Sequence, residues 1–241
     1  MNAIKARKLW LALALVLAHV GAMAGDERDP WENMNRRIFA FNDAVDAAVV
    51  RPVAQAYDTV LPSFARTGVH NFLGNLRDVW SLANSALQLK PQATAETVMR
   101  VSVNTVFGLV GVLDIATELG LEKRKEDLGQ TLGYWGVPSG PYLVLPLLGP
   151  STLRDGLALP LDFKGDPGQN IDNATTRSTL TVLRITDVRA SLLKTVDTVK
   201  AASLDPYSFV RDAYLQKRQN DIYDGNPPAN FDYSDPDASG R

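Results

Sequence analysis

Residues able to carry chemistry are few in this chain, so their spacing decides what they can do. It holds two histidines and no cysteine, which excludes thiolate nucleophiles, disulfides and zinc–thiolate sites. His19 falls in an N-terminal leader, leaving His70 as the histidine on which a Ser-His-Asp relay would have to be built. The nearest nucleophile motif, Gly136-Val137-Pro138-Ser139-Gly140, misses the G-x-S-x-G elbow by one position and lacks its strand–turn–helix setting. Between Val69 and Asn71 in a helical pattern, His70 reads as a surface or packing residue. Gly129, Gly133, Gly136 and Gly140 are irregularly spaced with no following Lys-Ser/Thr, so no phosphate loop is present. Asp162, Asp166 and Asp172 lack the order of a calcium loop, and surface solvation is the simpler reading. No catalytic residue, metal site or cofactor is expected.

The leader explains itself. Lys5, Arg7 and Lys8 precede an apolar run from Leu9 to Val20, and Ala22-Met23-Ala24 supplies an A-x-A cleavage site. Residues 1–24 therefore read as a signal peptide, its apolar run too short to span a bilayer comfortably. Cleavage leaves 22 Lys+Arg against 27 Asp+Glu, a net charge of −5. That balance, without any basic cluster, disfavours nucleic acid as a partner. The remaining residues fit a single domain over 25–228, followed by a disordered acidic tail over 229–241.

Helical periodicity dominates that domain. Asp29-Pro30-Trp31-Glu32 has the layout of a helix start, with Asp29 as cap and Pro30 in the first turn. Met34, Ile38, Phe41, Val45 and Val49 extend an apolar stripe that Arg51-Pro52 is expected to end. A helical region runs from Pro62 to Leu89, weakened by Gly68 and Gly74, where a kink or a division into two shorter helices is expected. From Thr94 to Thr117 the residues are apolar almost all round, as in a segment buried in a core or touching lipid. Glu122 to Asp127 reads as a solvated charged turn. Val182, Ile185, Val188, Leu192, Val196 and Val199 mark a later helix, and Asp205-Pro206-Tyr207 opens the last one. The fold class is all-α.

One stretch breaks the pattern. Gly129–Leu153 carries no charge, is punctuated by Gly and Pro, and reads as a long apolar loop. Loops usually face water, so this one needs an apolar neighbour: its own core, a partner, or lipid.

The chain resembles the MlaA/VacJ family over about Asp29 to Pro228. The resemblance is carried by Asp29-Pro30-Trp31-Glu32-Asn33-Met34-Asn35-Arg36, Arg51-Pro52-Val53-Ala54, Asn71-Phe72-Leu73-Gly74-Asn75-Leu76 and Lys125-Glu126-Asp127-Leu128-Gly129-Gln130-Thr131-Leu132-Gly133. Gly140-Pro141-Tyr142, Gly149-Pro150-Ser151-Thr152-Leu153-Arg154-Asp155 and Asp205-Pro206-Tyr207 complete it. The resemblance implies a ring of helices around an amphipathic channel, seated in the outer membrane from its periplasmic side. It further implies removal of mislocalised phospholipids from the outer leaflet, delivery to the soluble carrier MlaC, and association with trimeric porins. Such proteins usually carry a lipidated Cys at the cleavage site, where this chain has Ala22-Met23-Ala24-Gly25.

Within that scheme, Tyr134, Trp135 and Tyr142 are expected at the water–lipid boundary. Gly136, Pro138, Gly140 and Pro141 would shape a gating loop that includes Leu145 and Pro146. Phe41 and Asn42 are expected to line the channel. A soluble periplasmic lipid-binding or scaffolding protein is the first alternative. A lipid hydrolase depending on His70 or Ser139 is the second.

Overall fold

The computed structural model describes residues 28–227, so the expected signal peptide and acidic tail lie outside it. Helix α1 (Glu32–Val45) does not end before Pro52. A π turn (Asp46–Val50) closes with a five-residue bond from Arg51 N–H to Asp46 C=O, and α2 (Arg51–Val60) follows directly. Pro52 thus sits in the first turn of a restarted ladder, where its missing N–H costs little. The break comes ten residues on, at extended Leu61 before Pro62.

Helix α3 (Ser63–Leu87) is a single helix, not two. Its glycines serve close approach: a Cβ at Gly68 would meet Val112 Cγ1 at 3.0 Å. Helix α4 (Pro91–Val106) packs along α3, and a turn leads to the short α5 (Ile115–Glu118).

The uncharged stretch expected as a loop resolves into structure. It contains α6 (Leu128–Tyr134), a bend, and an antiparallel hairpin of β1 (Tyr142–Leu145) and β2 (Gly149–Thr152). Register runs from Tyr142↔Thr152 to Leu145↔Gly149. Tyr142 and Val144 point inward and their neighbours outward, a period of two that the surrounding Gly and Pro obscure. Then come α7 (Leu153–Gly165), α8 (Ala174–Ser191), α9 (Leu193–Ala202) and α10 (Pro206–Ile222). The fold is all-α apart from this hairpin. Caps hold several starts: Asp127, Thr152, Asn173 and Asp205 each accept a first-turn N–H.

Asp29 is not a cap. It is buried, and its carboxylate takes hydrogen bonds from Asn35 Nδ2 (2.8 Å) and the Tyr207 hydroxyl, so the first segment is tied to α10. Around this tie lies a small apolar cluster of Tyr142, Val144, Tyr207 and Leu215, with Phe39 edge-on to Tyr207 at 5.6 Å. β1 has β2 on one edge only, and α1 closes the other with two side-chain amides. Asn35 donates to Tyr142 C=O (3.1 Å) and accepts from Val144 N–H (2.9 Å). Asn42 donates to Leu145 C=O (2.9 Å) and accepts from Leu147 N–H (2.7 Å). Seven helical residues rise about 10 Å, as do three strand residues, so the two amides match two successive sites along the strand. Asn35→Ala strips partners from a buried carbonyl, N–H and carboxylate together. It is expected to lower the unfolding free energy by about 2 kcal/mol, as measured by denaturant titration.

Candidate functional site

Polarity in this protein is inverted relative to a water-soluble domain. On α4 the residues facing inward are Ala93, Thr97, Arg100 and Asn104, spaced by three and four as a helix face requires. The apolar residues lie outside: Val98, Met99, Val106, and then Phe107, Leu109, Val110 and Leu113 of the following turn, all exposed. Leu109 and Val110 hold φ of 54° and 62°, the latter a strained choice for a β-branched residue. The apolar stripe expected on α8 exists, but Val182, Ile185 and Val188 are exposed while Thr186 and Asp187 are buried.

The interior is a hydrogen-bonded polar network. Arg100, 1% exposed, grips Asp114 with both oxygens (2.9 and 3.0 Å) and also donates to Thr117 Oγ1 and Leu121 C=O. Asn104 donates to Asp114 and accepts from Ala116 N–H. The segment expected as a solvated turn is part of this network. Glu126 is buried against Gln88 (2.8 Å) and Ser81, and Asp127 is held by both Nη atoms of Arg218. Arg218 also holds Asp155, which accepts from Tyr214. Asp162 and Asp166 are not solvated either. Asp162 accepts from Trp80 Nε1 and Leu128 N–H, and Asp166 pairs with Arg184.

The expected site residues divide into two places. Phe41, Asn42, Leu145 and Pro146 come together where α1 meets the hairpin. Phe41 is exposed, but Asn42 is engaged in clamping the hairpin turn instead of presenting a free amide. Tyr134 and Trp135 are exposed and edge-on at 5.7 Å; Lys90 lies over Tyr134, and Trp135 Nε1 donates to Leu87 C=O. Gly136 (φ 83°) and Gly140 (φ 63°) make the bend that carries exposed Pro138 and half-buried Pro141. Tyr142 departs from expectation: it is fully buried in the apolar cluster, not at a water boundary, because strand alternation turns it inward. Leu147 and Leu148 at the hairpin tip are exposed in its place.

His70 Nδ1 lies 2.9 Å from Asp187, on a cavity of about 250 Å³ that also meets Ser63 and Ser191 but not Ser139. The cavity does not bring His70 and Ser139 together, and the Ser191 hydroxyl that does line it donates to Val188 C=O. Asn35, Arg100, Asn104 and Asp114 are the important residues that sequence reasoning passed over. The signal was available, since Thr97, Arg100 and Asn104 form a polar stripe of helical period. An open groove of about 660 Å³ runs beside α8, lined by Thr175, Ser178 and Thr179 with Val182 and Leu183. Hydroxyls and aliphatic groups share its wall.

Burial alone would raise the Asp114 pKa. Hydrogen bonds from Thr117 and Asn104 and the charge of Arg100 outweigh burial and bring it down to about 2. A lowered folded-state pKa contributes stability that is complete above the ordinary value of 3.8 and lost as pH falls toward 2. Asp114→Asn is therefore expected to be less stable near neutral pH and to flatten the acid-induced loss between those two values, read from thermal melts across pH.

A family model described as MlaA lipoprotein matches residues 27–221. An uncharacterised protein of Rickettsia bellii (strain RML369-C) is 35% identical over 206 residues, covering 84% of this chain and 79% of the relative. The Escherichia coli (strain K12) protein named intermembrane phospholipid transport system lipoprotein MlaA is 34% identical over 230 residues, covering 88% and 87%. A solved structure reported under "Structural basis for maintenance of bacterial outer membrane lipid asymmetry" superposes with a TM-score of 0.67 at 32% identity, covering 82% of this chain and 99% of that one.

Proposed function

The chain belongs to the MlaA family, and on that premise we propose that it removes mislocalised phospholipids from the outer leaflet of the Gram-negative outer membrane and passes them to a periplasmic carrier, so keeping the leaflets asymmetric. The inverted polarity carries this reading. Exposed apolar side chains on α1, α3, α4, α7 and α8 exceed what a water-facing surface tolerates and need an apolar phase. No helix among the described residues is long and apolar enough to cross a membrane. Our reading lays the helices in the plane of the bilayer, apolar faces among acyl chains and the polar network shielded behind them. Tyr134 and Trp135 suit the headgroup level.

Passage of lipid needs a path that is polar for the headgroup and apolar for the chains. The mixed wall of the α8 groove supports such a path within a ring of helices. The hairpin, with its exposed leucine tip fastened by Asn42, suits a gate that the bend from Gly136 to Pro141 lets move. In this reading apolar burial and a trimeric porin partner retain the protein at the membrane, and MlaC is the acceptor.

Deleting the protein is expected to raise outer-leaflet phospholipid, measured by surface labelling of intact cells; an unchanged level overturns the reading. The paired substitution Leu109→Asp and Val110→Asp is expected to move the mature protein from the membrane to the soluble fraction while its melting transition persists. Wild-type recovery in the soluble periplasm would favour a lipid-binding scaffold instead.

A further inference from the structure

Five cations and five carboxylates line one cleft, and two of the cations stand outside its pairs. A cavity of about 520 Å³ opens between α3, the segment preceding α6, α7 and α10. Every carboxylate on its wall is engaged. Arg218 holds Asp127, Trp80 and Leu128 N–H hold Asp162, and Arg184 holds Asp166. Lys217 pairs with Asp221, and Gln88 donates to Glu126. Arg77 and Lys125 face the same cavity, and neither charged group has a hydrogen bond or ion pair among the described residues. Arg77 is half-buried and also borders a smaller void lined by Lys123 and Lys125. Facing these cations are Trp80, Leu159 and exposed Phe163.

A half-buried guanidinium without a partner is costly unless something fills the place of the missing acceptor. Burial and the charge of Arg184 push the Arg77 pKa down against the opposing pull of Asp166, Asp78 and Asp187, and burial with Arg77 lowers that of Lys125. An anion seated between them relieves both effects.

We propose that this cleft is a phosphate-binding site, in which Arg77 and Lys125 donate to the phosphate oxygens while Trp80, Leu159 and Phe163 cover an apolar group esterified to it. A planar guanidinium fork suits two oxygens of one phosphate, and the lysine adds a point charge. Naming a phospholipid headgroup as the source of that phosphate rests on the transport reading; the cations and the cavity do not.

The test is calorimetric titration of the mature full chain in detergent with inorganic phosphate, glycerol 3-phosphate and dihexanoyl-phosphatidylglycerol. Wild type is expected to bind at least one probe, more weakly as salt is raised. The double variant Arg77→Gln, Lys125→Gln is expected to bind about tenfold or more weakly, and Arg77→Lys to keep part of the affinity. Equal affinities for phosphate and lipid assign the site to phosphate itself. Tighter lipid binding that Phe163→Ser weakens, with phosphate binding untouched, assigns it to a headgroup. No binding by wild type, or unchanged affinity in a double variant whose circular dichroism matches wild type, overturns the proposal. Should the double variant not fold, the two single substitutions carry the same comparison. Surface-phospholipid levels after deletion test the transport reading separately, so either idea can fail alone.

Discussion

A charged side chain taken out of water must find its partners inside, and the two Nη atoms of Arg100 show how this protein meets that demand. With 1% of its surface exposed, it engages Asp114 through two oxygens, a threonine hydroxyl and a backbone carbonyl, and lies 3.8 Å from Asp78. Few apolar groups are buried beside it; the fully buried side chains are largely Arg, Gln, Asn, Thr, Asp and Ser. Cohesion therefore rests on directional bonds more than on area removed from water. Such an interior tolerates little slippage, because displacing one member leaves another buried and unpaired.

The same demand governs the hairpin. A two-stranded ribbon has two edges whose N–H and C=O groups need partners. Here α1 covers one edge of β1 with Asn35 and Asn42, and Asp29 anchors Asn35 to the start of α10 through Tyr207. Chain segments more than a hundred residues apart thus share one polar seam. The seam holds the hairpin at two fixed points, the second at the turn itself, where the side chains of Leu147 and Leu148 stay exposed.

Turning polar groups inward leaves apolar ones outward, and those outer groups need a medium. A bilayer leaflet meets that need without any spanning segment, because in-plane helices bury one face in acyl chains and present the other to protein or water. A polar interior behind an apolar rim also matches what a phospholipid requires of its route, since headgroup and tails want opposite surroundings. Structure and proposed function answer to the same inversion.

The sequence by itself determined the helical character, the extent of the helix over Ser63–Leu87, the cap at Asp205 and the absence of cysteine chemistry, because these depend on local spacing and residue type. Periodicity tells which residues share a face; it does not tell which face looks inward. In a water-soluble protein solvent settles that question and would turn Val182 and Ile185 inward; here they lie outside. Only the tertiary structure could decide the orientation, since it follows from where Asp114, Asp127 and Asp155 sit relative to arginines far along the chain. For the same reason Asn42 passed for a lining residue and Tyr142 for a boundary residue. Their roles are set by the strand that meets the first helix, and that meeting is a long-range contact no local pattern encodes.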